Sequence, residues 1–480
     1  MIIGRKEEQK QLKRIYNSKE AEFITIYGRR RVGKTYLIRE FFGNKECIFF
    51  HATGMQNGSF NDQVKKFAEA LSSTFFNKAP IKAPNNWGDL FALLHGEILK
   101  TDKKVVIFLD ELPWMATKKS KLMQEIAYYW NHYWSLMPRV ILIVCGSSAS
   151  WLIKKVIYDK GGLHNRTTLQ IRLLPFNLAE TKDFLESRGI HLTHQHILSI
   201  YMTFGGTPYY LKNIEPGLSA QQNIQKLVFD RNAPLKDEFN ILFDSLFDGA
   251  DGYKEIIELI AQKREGMTRA ELSSLVKLTT VGGSLSQRIK DLSDAGFIEE
   301  YVPWNRARGE YYKVIDEFCL FYAQWIRTTQ GRRPQKDFWI HQSQRPSYYA
   351  WAGYAFEAVC MKHIDQIINA LKISMVRSIG TWQYIPRSRK DTGAQIDLII
   401  DRFDNAITAC EIKYTDQPFI LDKQYASKIQ RTLKIFKQKA KIDKQIFLAF
   451  VSASGLKETI YSEEMVTGIA TLEELFREAT

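Results

Sequence analysis

At 480 residues the chain has room for about three domains, and a hydrophobic content of 45% supplies several cores rather than one. Its 67 lysines and arginines outnumber 53 acidic residues, a net charge of +14 that favours an anionic partner, with nucleic acid the first expectation. Five widely spaced cysteines (Cys47, Cys145, Cys319, Cys360, Cys410) argue against a zinc knuckle or disulfide framework. The opening Met1-Ile2-Ile3-Gly4-Arg5-Lys6-Glu7-Glu8 holds no apolar signal core and no run reaches membrane-spanning length, so a cytoplasmic protein with no membrane partner is expected.

The first informative element is the apolar run Phe23-Ile24-Thr25-Ile26-Tyr27, followed by Gly28-Arg29-Arg30-Arg31-Val32-Gly33-Lys34-Thr35 and the helical Tyr36-Leu37-Ile38-Arg39-Glu40-Phe41-Phe42. Strand, phosphate loop and helix in this order make a nucleotide site. The glycines let backbone N–H groups of residues 28–35 wrap a β-phosphate, Lys34 reaches the β- and γ-phosphates, and Thr35 offers a hydroxyl to Mg²⁺. Further on, Lys104-Val105-Val106-Ile107-Phe108-Leu109-Asp110-Glu111 is an apolar run ending in two acids, which reads as a buried parallel strand. Asp110 is expected in the Mg²⁺ shell and Glu111 is expected to polarise the attacking water, so the predicted activity is ATP hydrolysis. A third apolar run, Val140-Ile141-Leu142-Ile143-Val144-Cys145, ends at Gly146-Ser147-Ser148. There Ser147 is a candidate γ-phosphate sensor or part of a Gly-Ser turn.

Alternating strand and helix patterns to residue 175 predict a parallel sheet covered on both faces, and the helical pattern over 176–247, broken at Gly205-Gly206-Thr207-Pro208, predicts a lid. Over 248–325 three helices are predicted, one opened by the capping box Thr268-Arg269-Ala270-Glu271 and one running Ser284 to Ala295. A hairpin follows, with the basic tip Asn305-Arg306-Ala307-Arg308-Gly309. This is a winged helix-turn-helix pattern. Ser284, Ser286, Gln287, Arg288 and Lys290 suit a DNA groove, and packing on the protein's own core or binding another protein are the other roles open to the winged helix. The segment 326–350, with Gly331-Arg332-Arg333-Pro334 and Arg345-Pro346, is expected to be an exposed linker.

Within 351–480, Gln395-Ile396-Asp397-Leu398-Ile399-Ile400-Asp401 and Ala406-Ile407-Thr408-Ala409-Cys410-Glu411-Ile412-Lys413 predict a hairpin that brings Asp397 beside Glu411 and Lys413, with Glu357 supplied by an upstream helix. Glu357, Asp397 and Glu411 are candidate ligands of Mg²⁺ or Mn²⁺. Asp397, Glu411 and Lys413 are the catalytic candidates of a metal-dependent nuclease, although a solvated edge strand carries the same Glu-x-Lys pattern.

These motifs together resemble prokaryotic AAA+/STAND-type ATPases of the archaeal ATPase family, with a winged helix and a C-terminal domain related to PD-(D/E)XK nucleases. Gly4-Arg5-Lys6-Glu7-Glu8 resembles the family's opening box near the adenine, residues 28–35 its Walker A, Asp110-Glu111 its Walker B, and Gly205-Gly206-Thr207-Pro208 its lid element. The resemblance implies that Arg166, or its neighbour Arg172, is an arginine finger or sensor. It also implies an α/β multidomain fold: a P-loop parallel-sheet ATPase, a helical lid, a winged helix and a restriction-endonuclease-like α/β domain. Ile396 stands where the superfamily name places proline. The expected partners are ATP and DNA, with assembly into a homo-oligomer left open. The function expected first is a DNA-associated ATPase with a metal-dependent nuclease domain. The alternative is an ATP-driven switch whose nuclease-like domain only binds. A transporter motor is disfavoured by the lack of an ABC-type signature.

Overall fold

The computed structural model describes residues 1–159, 161–277, 283–302, 304, 310–331, 335–386 and 392–478. The wing-tip residues Arg306 and Arg308 and the linker residues Arg332 to Pro334 lie outside the described residues. The chain divides into two units, one formed by 1–175 with 286–296 and the other by 176–285 with 297–480.

The first unit is built on five parallel strands, β1 (Glu22–Tyr27), β2 (Ile48–Thr53), β3 (Val105–Asp110), β4 (Val140–Gly146) and β5 (Leu169–Arg172), in the order β2-β3-β4-β1-β5. Every residue of β3 and β4 is buried, as the unbroken apolar runs predict for strands covered on both faces. Alternation decides which side each residue serves. Ile107, Leu109, Leu142 and Val144 face a core with Phe67, Trp87 and Phe91 from the helices Phe60–Phe75 and Trp87–Leu99. Val106, Phe108, Ile141 and Ile143 face a second core with Leu37, Ile38, Phe41 and Phe42 from the helix Lys34–Gly43 and Leu12 and Ile15 from Lys6–Tyr16. With β1 flanked by β4 on one side and β5 on the other, the loops after β1, β3 and β4 emerge together at the carboxyl edge, where open α/β sheets bind ligands.

In the second unit, helices Leu178–Glu186, His194–Phe204 and Glu238–Leu246 come first. A capping box, Asn177 with Glu180, starts the first of them. Helix Ala250–Ile260 follows, and the capping box of Thr268 and Glu271 opens helix Arg269–Leu275 as the sequence predicts. Strands β6 (Met267–Thr268), β7 (Ile298–Tyr301) and β8 (Tyr311–Val314) form an antiparallel sheet in the order β6-β8-β7.

The helix Leu285–Asp294 departs from its predicted role. Ser284, Ser286, Gln287 and Lys290 are exposed, but Arg288 is fully buried, so its guanidinium is not presented to a DNA groove. Residues 286–296 group with the P-loop unit, where Arg172 donates a hydrogen bond from Nη2 to the Ser293 carbonyl at 3.2 Å.

The expected exposed linker over 326–350 is also corrected. Helix Phe338–Gln342 is docked through Trp339, whose side chain is fully buried among Phe229, Phe321, Trp325 and Trp351. The Trp339 backbone N–H and indole donate to Gln225 and Gln221 at 2.7 and 2.6 Å. Burying an aromatic surface of this size outweighs the exposure that flanking charge and proline suggest.

A second five-stranded sheet follows. It contains β9 (Val376–Tyr384), β10 (Ala394–Arg402), β11 (Ala406–Lys413), β13 (Gln445–Ser452) and β15 (Val466–Thr471), in the order β15-β13-β11-β10-β9, while β12 (Phe419–Ile420) pairs with β14 (Leu456–Lys457). The predicted β10–β11 hairpin is antiparallel, and β13 and β15 continue the sheet in parallel. Among the described residues no helix is long and apolar enough to cross a membrane.

His363 joins distant parts of this unit. Its Nδ1–H donates to the Val359 carbonyl at 2.8 Å, and Nε2 accepts from the Leu178 backbone N–H at 3.0 Å. Burial, reinforced by the Lys362 charge, holds the imidazole pKa down at about 4. Above about pH 6.5 the ring is neutral in folded and unfolded chains alike. As pH falls from about 6.5 to about 4 the unfolded chain takes up a proton that the folded chain refuses, and the folded state loses about 3 kcal/mol. Urea denaturation across this window is expected to show a steeper loss for wild type than for His363→Gln. Parallel profiles would contradict the assignment.

Candidate functional site

The phosphate loop is shaped by backbone that few residues accept. Gly28 has φ +146°, and a Cβ there would lie 2.3 Å from the Leu173 carbonyl oxygen, so the loop leaves β1 in contact with the chain after β5. Gly33 (φ +95°) and Arg31 (φ +77°) are also left-handed, turning the chain into the helix that starts at Lys34. The Lys34 amine is buried inside this wrap and donates to the carbonyls of Gly28 and Arg29 at 2.8 and 2.9 Å. Arg29 is buried, Arg30 lies over the Trp114 ring at 5.7 Å, and Val32 is buried. The Val32 carbonyl accepts from Arg5 Nη2 at 3.2 Å, which ties the opening Gly-Arg box to the loop.

Thr35 Oγ1 donates to Asp110 Oδ2 at 2.8 Å, bringing the predicted pair together at the carboxyl edge of the sheet. A hydroxyl and a carboxylate at this spacing are hard oxygen donors of the kind Mg²⁺ takes. Burial pushes the Asp110 pKa up, but hydrogen bonds with His51 and Thr35 more than compensate and hold it below the usual carboxylate value. His51 Nε2 is 3.7 Å from Asp110 Oδ2, and its ring stacks on Phe108. Local spacing gives no hint of His51. It reaches Asp110 because β2 pairs with β3 with Thr53 opposite Asp110.

Glu111 sits in left-handed backbone, φ 50° and ψ 48°, at a cost of about 1–2 kcal/mol for a residue with a Cβ. Its carboxylate Oε2 accepts from both the backbone N–H and the hydroxyl of Ser147 at 2.9 Å. The neighbouring glycines permit this turn. A Cβ on Gly54 would be 2.5 Å from the Glu111 carbonyl oxygen, and one on Gly146 would be 2.6 Å from Pro113 Cδ. Arg166 is exposed in the turn after Gly162, with its N–H bonded to the Leu163 carbonyl.

The predicted acidic cluster lies in the second unit. Leu398 pairs with Cys410 across the β10–β11 hairpin, and Asp397 Oδ2 accepts from the Ile412 N–H at 3.1 Å. Lys413 Nζ donates to Glu411 Oε1 at 2.6 Å, and the Tyr425 hydroxyl, of which the local sequence gives no sign, donates to the same oxygen at 2.5 Å. Burial and the Glu411 charge raise the Asp397 pKa against the opposing effects of Lys413 and the Ile412 amide. Burial pushes the Lys413 pKa down, but Glu411 and Tyr425 hold it above its ordinary value. Glu357, Asp397, Glu411 and Lys413 line one cavity of about 250 Å³ together with Arg264.

Arg264 changes the predicted chemistry, because its guanidinium forms an ion pair with Glu357. Among the described residues no group of three His, Cys, Asp or Glu side chains is gathered to hold a metal ion. The expected set of Glu357, Asp397 and Glu411 is therefore not assembled. One acid is paired with Arg264 and another is bonded to Lys413 and Tyr425. The residues as arranged do not fit a divalent cation at this position.

Residues 2–214 match an ATPase domain found predominantly in Archaea. An uncharacterized protein of Methanocaldococcus jannaschii is 26% identical over 433 residues, which span 87% of this chain and 88% of that protein. An uncharacterized ATP-binding protein of the same organism is 52% identical over 46 residues, 10% of this chain and 78% of its own. Among solved structures, a Walker-type ATPase of Pyrococcus abyssi is 17% identical with a TM-score of 0.47, the match covering 68% of this chain and 96% of that one. The ORC2 protein of Aeropyrum pernix, in ADPNP–ADP complexes, is 14% identical with a TM-score of 0.44 and covers 68% and 93%. With its phosphate loop, Thr35–Asp110 pair and Glu111 inside the matched region, the chain is an ATPase whose residues 2–214 belong to the ATPase domain family found predominantly in Archaea.

Proposed function

We propose that the protein hydrolyses ATP while acting on DNA, through a P-loop core (1–175), a helical lid (176–247), a winged helix (248–325), a connecting segment (326–350) and a PD-(D/E)XK-type domain (351–480). The observation that carries the hydrolytic part is the pair of contacts at the carboxyl edge of the sheet, Thr35 with Asp110 and Ser147 with Glu111. In this reading Lys34 and the backbone N–H groups of residues 28–35 hold the β- and γ-phosphates, and Thr35 and Asp110 hold Mg²⁺. The ion, when bound, offsets charge on the transferring phosphoryl group. Glu111 orients the attacking water, and Ser147 sets where its carboxylate points. Arg166, exposed on its turn, is available to the γ-phosphate of a neighbouring copy in a homo-oligomer. The net charge of +14 supports a nucleic-acid partner.

A second reading, an ATP-driven switch whose C-terminal domain binds without cutting, is favoured by the Arg264–Glu357 ion pair. Mn²⁺ titration, read by calorimetry on nucleotide-free protein, separates the two. Arg264→Ala removes a cation from the acidic cavity and frees Glu357. On the nuclease reading it is expected to confer Mn²⁺ binding that Asp397→Ala abolishes, with nicking of DNA that Lys413→Ala loses while keeping the metal, and on the switch reading it confers neither. If neither wild type nor Arg264→Ala takes up Mn²⁺ at this cluster or nicks DNA, the nuclease reading falls and the switch stands. ATP turnover measured with and without DNA tests the DNA reading itself.

A further inference from the structure

One basic surface of the P-loop unit belongs to no motif. The loop after the helix Leu112–Met115 and residues Gly161 to Leu163 line a groove of about 790 Å³ together with Lys118, Lys119, Lys121 and Lys155. All four lysines are exposed. Among the described residues lining the groove, the only carboxylate is Asp159, whose Oδ2 accepts from the N–H groups of Gly161 and Leu163 at 3.0 and 3.2 Å. Lys119 and Lys121 occupy left-handed backbone, φ 64° and 60°. A loop that accepts this strain twice, at about 1–2 kcal/mol each, points their side chains in directions ordinary backbone would not give. Tyr128, 45% exposed, and Trp151 supply aromatic surface to the same groove.

We propose that this groove binds the phosphate backbone of nucleic acid, resting on the DNA reading above and giving it a location. Several cations along an open channel suit a polyanion better than a single phosphate, and flat rings beside them suit nucleobases better than acidic side chains. Burial of Arg288 withdraws the most basic residue of the predicted recognition helix and strengthens the case for a surface elsewhere. The loop also follows directly from Glu111. The Thr117 N–H bonds to the Met115 carbonyl, the Ala116 N–H to that of Leu112, and the Trp114 N–H to that of Glu111. A strand seated on the lysines therefore touches a loop that continues from the turn carrying the candidate water-orienting acid, and occupancy of the groove is expected to raise ATP turnover.

The test uses full-length protein and a fluorescein-labelled DNA duplex, with binding read by anisotropy over a series of salt concentrations. Replacing Lys118, Lys119, Lys121 and Lys155 together by Gln keeps most of the side-chain length and removes four charges from exposed positions. The variant is expected to bind about tenfold or more weakly near 0.1 M salt. The slope of log affinity against log salt should fall by about three to four, since roughly one counterion is released per phosphate contact. Its ATP affinity and basal turnover should match wild type while DNA stimulation is lost. Unchanged DNA affinity and slope in the variant would overturn this surface and leave the DNA reading standing. A wild type that binds no DNA would overturn both. Competition by polyglutamate as effective as by unlabelled DNA would overturn the choice of nucleic acid as the occupant.

Discussion

Lys34→Ala is expected to leave no measurable ATP affinity, whereas Glu111→Gln should bind ATP as wild type does and turn it over about a hundredfold to ten-thousandfold more slowly. The asymmetry follows from where each group sits. Lys34 is a buried cation within the phosphate loop, and its two hydrogen bonds to Gly28 and Arg29 also hold the loop's shape, so truncation removes both charge and support. Glu111 follows the end of β3, and its carboxylate is bonded to Ser147, outside the phosphate loop. Gln fits the same left-handed turn and keeps an oxygen for the Ser147 donors, but it cannot take or direct a proton as a carboxylate does. Calorimetry gives the affinities and phosphate release gives the rates. Equal nucleotide affinity for wild type and Lys34→Ala would refute the site.

The largest structural effect is expected at Gly206. A Cβ at this position would meet the Phe176 carbonyl oxygen at 1.8 Å and its carbonyl carbon at 2.5 Å, while the Phe176 N–H already donates to the Gly206 carbonyl at 2.7 Å. Both partners are backbone, so no rotamer change relieves the clash. The Phe176 carbonyl is fixed as well by the Tyr201 hydroxyl at 3.0 Å. Gly206→Ala should therefore destabilise this unit by more than about 4 kcal/mol, seen as a large drop in melting temperature or failure to accumulate folded protein. Gly96 provides the control. It lies inside the helix Trp87–Leu99 with nothing within 4 Å of where a methyl would sit, so Gly96→Ala should stabilise by up to about 1 kcal/mol. Similar melting temperatures for Gly206→Ala and wild type would mean that the two backbones can part cheaply.

What could be read from the sequence was what is local or strictly periodic. The strand, loop and helix around Gly28 to Thr35, the buried run ending in Asp110 and Glu111, the capping box at Thr268 and the hairpin carrying Asp397 and Glu411 each follow from residues close in the chain. The partners of those residues do not. His51 finds Asp110 through strand pairing, Tyr425 reaches Glu411 from the next helix, and Arg264 takes Glu357 from far away in sequence. Such meetings are set by tertiary packing, which leaves no spacing to recognise. Arg288 and Trp339 failed for a related reason. A polar periodicity or a charged, proline-bearing stretch reports average exposure, and one long side chain that buries its stem or ring can reverse it.

The strand order of the first sheet has a consequence for how the protein is made. β1, which leads into the phosphate loop, is emitted early by the ribosome, yet its ladder neighbours are β4, with Glu22 beside Ile141, and β5, with Ile24 beside Leu169. The unit also includes residues 286–296, which are translated only after a long excursion into the second unit. Loop closure over such separations is slow and costly in entropy. The strand that leads into the phosphate loop therefore waits until residues 140–172 have been made before its ladder is complete, and until then β1 is an unpaired apolar strand open to aggregation.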